Sequence, residues 1–157
     1  SNMLITVPET IVQLISTNFV QFALSQTNDA PVGIKREISV FLATCILYFS
    51  YDRLCEILDS ENENGKIFFE LMDEMISSGR NDIVVRCIDA MINITLLFST
   101  ESSSSTGRGL IEYLLSMIDE NGIMEDLEDL IEDGDPRTAG RATALYNQIL
   151  RLSSPNC

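Results

Sequence analysis

The sequence predicts an all-α fold in which helical units stack into a solenoid. The first observation behind this prediction is an apolar stripe with helical spacing, which recurs along the chain. The second is that each stripe follows a turn and a shorter apolar segment. The third is composition, because 45% of the 157 residues are apolar, with no Trp, four Pro and eight Gly. A chain of this length buries most of its apolar surface as one domain.

The apolar stripe consists of residues at i, i+4, i+7 and i+11, which lie on one side of an α-helix. Three sets follow this spacing, separated by 49 and then by 55 residues. They are Ile34, Ile38, Phe41 and Cys45, then Ile83, Cys87, Ala90 and Ile94, and finally Thr138, Ala142, Leu145 and Ile149. One unit cannot bury such a stripe alone, so each unit is expected to pack against its neighbour.

Shorter apolar segments precede the stripes in a fixed order. Directly ahead of the stripes lie the turns "NDAPVG", "SSGRND" and "DGDPRT", and before these "NFVQFALSQ", "GKIFFELMDEMI" and "GIMEDLEDLI". The segments "ETIVQLI", "YDRLCEIL" and "GLIEYLLSMI" stand earlier still. We therefore predict three units of three helices each, at about 8–49, 51–99 and 108–153.

A period in the forties with this short–medium–long rhythm is typical of armadillo and HEAT repeats. The predicted architecture is a right-handed superhelix of about three armadillo repeats, in one domain at 8–153. The polar stretch "STESSSSTGRG" at 99–109 is interpreted as an insertion that joins the second and third units. Residues 1–7 and 154–157 are assigned to tails, and Ser1 and Asn2 resemble a cloning remnant.

Composition and charge exclude several classes of function. The chain has 24 acidic and 10 basic residues and a net charge of −14, whereas binding to phosphates needs clustered Lys and Arg. Nucleic acid is therefore not expected as a partner, and basic peptides or proteins are. The chain has no His, which removes the commonest general base and the commonest metal ligand.

The sequence also bears on the cellular compartment. No apolar run approaches the roughly 18 residues that a membrane span needs, and we identify no signal peptide. The four cysteines (Cys45, Cys55, Cys87 and Cys157) are widely spaced, and three lie in apolar surroundings, where a free Cys acts as a small core residue. We expect an intracellular, reducing location without a membrane partner, and we interpret the sequon at Asn93 as a chance match.

Nine carboxylates lie between Asp119 and Asp135, mostly on one predicted helix. Helical spacing separates a buried stripe of Ile123, Leu127, Leu130 and Ile131. The remaining positions predict a solvated or partner-facing acidic surface of Glu125, Asp126, Glu128, Asp129, Glu132 and Asp133. Acid–base catalysis needs a carboxyl group whose pKa is raised, usually in a cleft, so no catalytic residue is predicted there. Asp135 and Pro136 predict a helix start.

The stretch "DSENENGKIFFE" at 59–70 imitates a calcium-binding loop. Asp59, Glu61, Glu63 and Glu70 occupy ligand positions, but Asn64 stands where the sharp turn needs Gly, and a Gly follows one place late. We predict an acidic turn between helices and no metal site. No Ser lies in a GxSxG motif and no Lys in a phosphate loop, so we expect neither an enzyme nor a cofactor.

Three stretches together resemble the last armadillo repeats of the importin-α (karyopherin-α) family. They are "KREISVFLATCI" (35–46), "VVRCIDAMINI" (84–94) and "LIEYLLSMIDENGIMEDLEDLIEDGDPRTAGRATALYNQIL" (110–150). That family ends with a helix closing in an acidic pair plus Gly, a "GLDKIEALQ"-like helix, an acidic turn and a final long helix. The segment "MIDENGIMEDLEDLIEDGD" follows this order, and the resemblance covers about 30–150 well and 8–30 weakly.

In that family, nuclear-localisation signals bind a concave groove lined by the third helix of each repeat, through Glu, Trp and Asn side chains. Glu37 matches the Glu and Asn93 matches the Asn. Thr44 stands at an Asn position, while Val40 and Asp89 stand at Trp positions. The resemblance therefore implies a peptide groove of Glu37, Thr44, Asp89 and Asn93 that lacks the Trp ladder.

The resemblance further implies an adaptor that moves between cytoplasm and nucleus. Such adaptors carry cargo proteins with nuclear-localisation signals together with importin-β, and their last repeat contacts an export receptor. Two alternatives stay open. A generic armadillo or HEAT scaffold outside nuclear transport would lack a basic N-terminal segment and Trp–Asn repeats in the full-length protein. A helical enzyme that uses the acidic cluster would respond to divalent-metal titration.

Overall fold

The computed structural model describes residues 17–58, 63–78, 80–100 and 105–154. All regular secondary structure in these ranges is α-helical, which confirms the predicted all-α fold. The helices are α1 (Thr17–Ser25), α2 (Val32–Ile46), α3 (Tyr51–Ile57), α4 (Asn64–Ser78), α5 (Asn81–Thr100), α6 (Ser105–Glu120), α7 (Ile123–Asp133) and α8 (Pro136–Ser153). The predicted first helix "ETIVQLI" lies outside the described residues, as do Cys157 and parts of the calcium-like loop and of the polar insertion.

Helices at equivalent places in the predicted units contact one another. Helix α2 packs on α5 and α5 packs on α8, while α1 packs on α4 and α4 packs on α7. Two polar contacts show that α5 and α8 run in the same direction. The side chains of Asn81 and Asp135 meet at the two helix starts, 2.7 Å apart, and Asp89 meets Arg141 further along both helices.

The buried apolar residues form one continuous core. Two of the three predicted stripes are confirmed, since every residue of the second and third stripes is at most 4% exposed. The first stripe is partly wrong, because Ile34 is 51% exposed although Cys45 is buried. Helix α2 is buried only from Ser39 onwards. Its first turns therefore extend beyond the helices that cover its C-terminal half.

Helix α5 lies at the centre of this core. It contacts α2, α3, α4, α6 and α8, and ten of its residues are buried. By length and composition alone it could cross a membrane, with a mean hydropathy of 1.6, and it is the one such helix among the described residues. Its position between α2 and α8 accounts for this apolarity, because a helix covered on most sides is apolar on most sides.

The predicted start of helix α8 is confirmed. The Asp135 carboxylate accepts hydrogen bonds from the backbone N–H and the hydroxyl of Thr138, both at 3.0 Å, and Pro136 follows in the first turn. These bonds hold the pKa of the Asp135 carboxyl below its ordinary value. Such a cap satisfies N–H groups that the first turn leaves without partners.

The core role predicted for the cysteines is confirmed for Cys45 and Cys87, each 1% exposed. Burial raises the pKa of both thiols to about 12, although the nearby Arg53 acts in the opposite direction on Cys45. Thiols with so high a pKa are poor nucleophiles, because the thiolate is the reactive form. Cys55 is half-buried and is not part of a disulfide.

Candidate protein-binding surfaces

The four residues of the predicted peptide groove lie on α2 and α5. Glu37 is exposed, whereas Thr44 is 8% exposed and its hydroxyl donates to the carbonyl oxygen of Val40 at 2.8 Å. Asp89 and Asn93 are half-buried on α5, one turn apart. The Glu37 side chain is therefore exposed to solvent, whereas the Thr44 hydroxyl is bonded to the backbone of its own helix.

Asp89 and Asn93 are each bonded to the helix of a neighbouring unit. The Asn93 amide donates to the carbonyl oxygen of Ile46 at 2.9 Å, at the end of α2, where carbonyl groups lack helical partners. The Asp89 carboxylate accepts from Nε of Arg141 at 2.7 Å, and Nη2 of the same guanidinium lies 2.6 Å away. These two polar residues join α5 to α2 on one side and to α8 on the other.

The ion pair between Asp89 and Arg141 is only half-buried, with side chains 35% and 43% exposed. Solvent screens such a pair, so its contribution to stability is at most about 1 kcal/mol. Both guanidinium nitrogens contact the same carboxylate oxygen, Oδ1 of Asp89. The pair therefore joins α8 to α5 while contributing little to stability.

A small cleft lies between the α1–α2 turn and helix α4. Its volume is about 120 Å³, and its lining includes Thr27, Lys35, Glu70 and Glu74. An ion pair between Lys35 and Glu74, with 3.1 Å between nitrogen and oxygen, joins its walls. Pockets that enclose small-molecule ligands have volumes of roughly 300 Å³ or more, so this cleft is too small for a substrate site of that kind.

Helix α7 carries the acidic surface, which we define as Glu125, Glu128, Asp129, Glu132 and Asp133, all of them exposed. The opposite side of the helix is held in the core, because Ile123 and Leu127 are 0% exposed. Leu130 and Ile131 pack against the core and are half-buried. The predicted division of this helix into an apolar and an acidic side is thus observed.

Few groups of the protein itself offset the negative charge of the acidic surface. Within the described residues, no Lys or Arg forms an ion pair with any of its acids. Glu128 accepts a hydrogen bond from the hydroxyl of Tyr146 on α8 at 3.2 Å, which raises the pKa of that tyrosine. The neighbouring helix α8 contains three Arg and no acidic residue, but Arg141 is already bound to Asp89. The negative charge of α7 therefore faces solvent.

Asp126 departs from the predicted acidic surface. It is half-buried, and its Oδ2 atom is inaccessible to solvent and receives no N–H or O–H donor. Burial raises the pKa of its carboxyl group to about 8, and the hydrogen-bonded carboxyl of Asp73 and the charges of Asp129 and Glu125 act in the same direction. Asp73 belongs to α4, so Asp126 points towards the neighbouring unit instead of outwards.

The calcium-like stretch is only partly described, since Asp59 and Glu61 lie outside the described residues. Helix α4 begins at Asn64, and Gly65 is packed so closely that a Cβ atom there would collide with the hydroxyl of Tyr113 on α6. This glycine therefore permits a close helix contact. Among the described residues, no group of three or more acidic or Cys side chains is arranged to hold a metal ion.

Comparisons with protein families, curated proteins and solved structures gave no match. The candidate surfaces therefore rest on this chain's own residues. The pairing of Asp73 with Asp126 and of Arg141 with Asp89 was not predicted from the sequence. A usable signal was present, because both pairs span close to one repeat of the apolar stripes, and that repeat places residues of successive units side by side.

Proposed function

We propose that this chain is a protein-binding module of three stacked armadillo-like units, and that helix α7 is its contact for a basic partner. The observation that carries the proposal is the acidic surface, which has no ion-pair partner among the described residues. The serial packing of α2 on α5 and α8, and of α1 on α4 and α7, supports the solenoid architecture.

The acidic surface is not explained by the stability of its own helix. Glu132 and Asp133 lie in the last turn of α7, where the helix dipole disfavours negative charge. Glu125 and Asp129, and likewise Glu128 and Glu132, are like charges four residues apart, which destabilise a helix by about 0.2–0.5 kcal/mol per pair. A basic partner would remove both penalties on binding, so the arrangement favours a role in recognition.

The resemblance to the importin-α family suggests which larger protein this module would belong to. The chain would then correspond to the C-terminal part of a nuclear-import adaptor, with α7 contacting the export receptor. Cargo with a nuclear-localisation signal would lie along α2, α5 and α8, where Glu37 is exposed. Asp89 and Asn93 are already bonded to neighbouring helices, so we expect this part of the groove to bind such a signal weakly.

The alternative of a generic scaffold outside nuclear transport shares the same acidic surface. Binding of a purified export receptor that recycles such adaptors separates the two. We expect an interaction that the paired change Glu128→Gln and Glu132→Gln weakens at least tenfold. A scaffold outside transport would bind octalysine through the same residues without binding the receptor.

The test of the binding surface is titration with octalysine at about 150 mM salt, where the screening length is near 8 Å. We expect weak binding that strengthens at lower salt and is reduced several-fold by the double change at Glu128 and Glu132. The matched control is Glu37→Gln, which removes one exposed acid from α2 and should leave affinity nearly unchanged. Micromolar or tighter binding that depends on Glu37 or Asn93, and not on α7, would refute this assignment.

A further inference from the structure

We propose that Asp126 and Asp73 share one proton across the contact between α7 and α4, and that this proton makes the junction of the second and third units sensitive to pH. The inference goes beyond the proposed function. Its consequence for partner binding rests on that function, whereas its effect on the free protein does not.

The geometry requires a proton in this contact. Helix α4 packs directly on α7, and the Asp73 carboxyl group lies close enough to that of Asp126 across this contact to share a hydrogen bond. Two ionised carboxylates cannot form a hydrogen bond, because each is only an acceptor. Oδ2 of Asp126 is also inaccessible to water and has no other donor, so the charged form would leave a buried acceptor unsatisfied.

The charged groups that act most strongly on Asp126 favour the protonated form. These groups are Asp73 from α4 and Glu125 and Asp129 from α7 itself. No Lys or Arg is among them, and none of them belongs to α6 or α8, the other helices packed on α7. The raised pKa of Asp126, about 8, agrees with this arrangement and places the ionisation near neutral pH.

The direction of the pH effect follows from the linkage between proton binding and folding. In the unfolded chain Asp126 ionises near its ordinary pKa of 3.8, whereas in the folded chain it keeps the proton up to about pH 8. Between these values the folded state binds more protons, so stability falls as pH rises. The stabilisation is complete below the unfolded pKa of Asp126 and is lost as pH rises through its folded pKa of about 8.

Binding of a basic partner favours the ionised form of Asp126 over the protonated form. A Lys or Arg side chain that pairs with the exposed Glu125 or Asp129 offsets their negative charge, which otherwise favours the neutral form of Asp126. Binding then releases the proton of Asp126 to solvent, and the partner's cation takes its place as counter-charge. The affinity for a basic partner therefore rises as pH increases towards about 8, while the stability of the free protein falls over the same range.

The first experiment measures thermal unfolding midpoints from pH 5 to 8.5 at constant ionic strength. We expect the midpoint of the wild type to fall by several degrees over this range, and that of Asp126→Asn to stay nearly flat. Asp73→Asn, a second variant, should flatten the profile in the same way. Glu132→Gln, the matched control, removes an exposed acid of α7 and should keep the slope of the wild type.

The second experiment counts protons by titrating octalysine into the protein at pH 7 in two buffers with different ionisation enthalpies. We expect proton release from the wild type and from Glu132→Gln, but not from Asp126→Asn. Parallel pH profiles of the wild type and both Asn variants would overturn the shared proton. Binding without proton release would overturn its link to the partner. If octalysine does not bind while the profiles differ as expected, the proposed function fails and the shared proton stands.

Discussion

The polar side chains of α5 and those of α7 differ in one respect that decides how each helix is interpreted. Asp89 and Asn93 on α5 each have a partner on a neighbouring helix, at 2.7 and 2.9 Å. The acids of α7 that face solvent have no cationic partner among the described residues. Polar residues on a helix surface can thus bond to neighbouring helices of the same protein or remain available to a binding partner. Residue type alone does not separate the two cases.

This comparison requires that α7 is held by its buried side alone, and Leu127→Ala tests that requirement with the largest expected effect. Leu127 is 0% exposed, so its truncation should reduce the free energy of unfolding by about 2–5 kcal/mol. Leu150→Ala is the control, because Leu150 is 47% exposed on α8 and its truncation should change stability by less than about 0.5 kcal/mol. Chemical denaturation measures both, and equal effects would mean that the burial of α7 is misassigned.

An intermediate loss of stability is expected when the bond from Asn93 on α5 to the end of α2 is removed. Asn93→Ala removes the shorter of the two hydrogen bonds to the carbonyl oxygen of Ile46, leaving the Phe49 N–H at 3.3 Å, and should cost about 1 kcal/mol of stability. Asn147→Ala makes the same change at an exposed position of α8, which controls for the higher helix propensity of Ala. If both variants unfold at the same denaturant concentration, Asn93 does not join the units and becomes available to a peptide.

The smallest expected change is a gain in stability instead of a loss. Neutralising the last turn of α7 with Glu132→Gln and Asp133→Asn should raise stability by a few tenths of a kcal/mol at low salt, because these charges oppose the helix dipole and one another. The gain should shrink as added salt screens the charges. In the first turn, where the dipole favours an acid, Glu125→Gln should give a smaller gain or a loss. A loss of stability in the double variant would show that α7 has internal partners after all.

Helix order and most of the burial could be predicted from the sequence, because both follow from local spacing. The recurring stripe identified the buried positions of α5 and α8, and Asp135 with Pro136 marked the start of α8. Ile34 was misassigned because spacing shows which side of a helix is apolar, but not how far along the helix a neighbour covers it. That extent depends on the packing of other helices.

The contacts between units could not be predicted in the same way. Asp126 was assigned to the outer side of α7 by its spacing, yet it points towards Asp73. One residue turns a helix by about 100°, so a boundary position can face either solvent or a neighbouring helix. Which of the two occurs depends on the register between helices about fifty residues apart, and only the folded chain determines that register.

The central position of α5 has a consequence for how the molecule opens. Helix α8 contacts α5, α6 and α7, all in the second and third units, so it can separate from one side while the rest stays folded. Helix α5 is covered by both α2 and α8, and its backbone amides can meet solvent only after one of these has left. We therefore expect amide hydrogen exchange to be slowest in α5 and faster in the described helices nearer either end of the chain. A partner bound to α7 is expected to slow exchange in the third unit first.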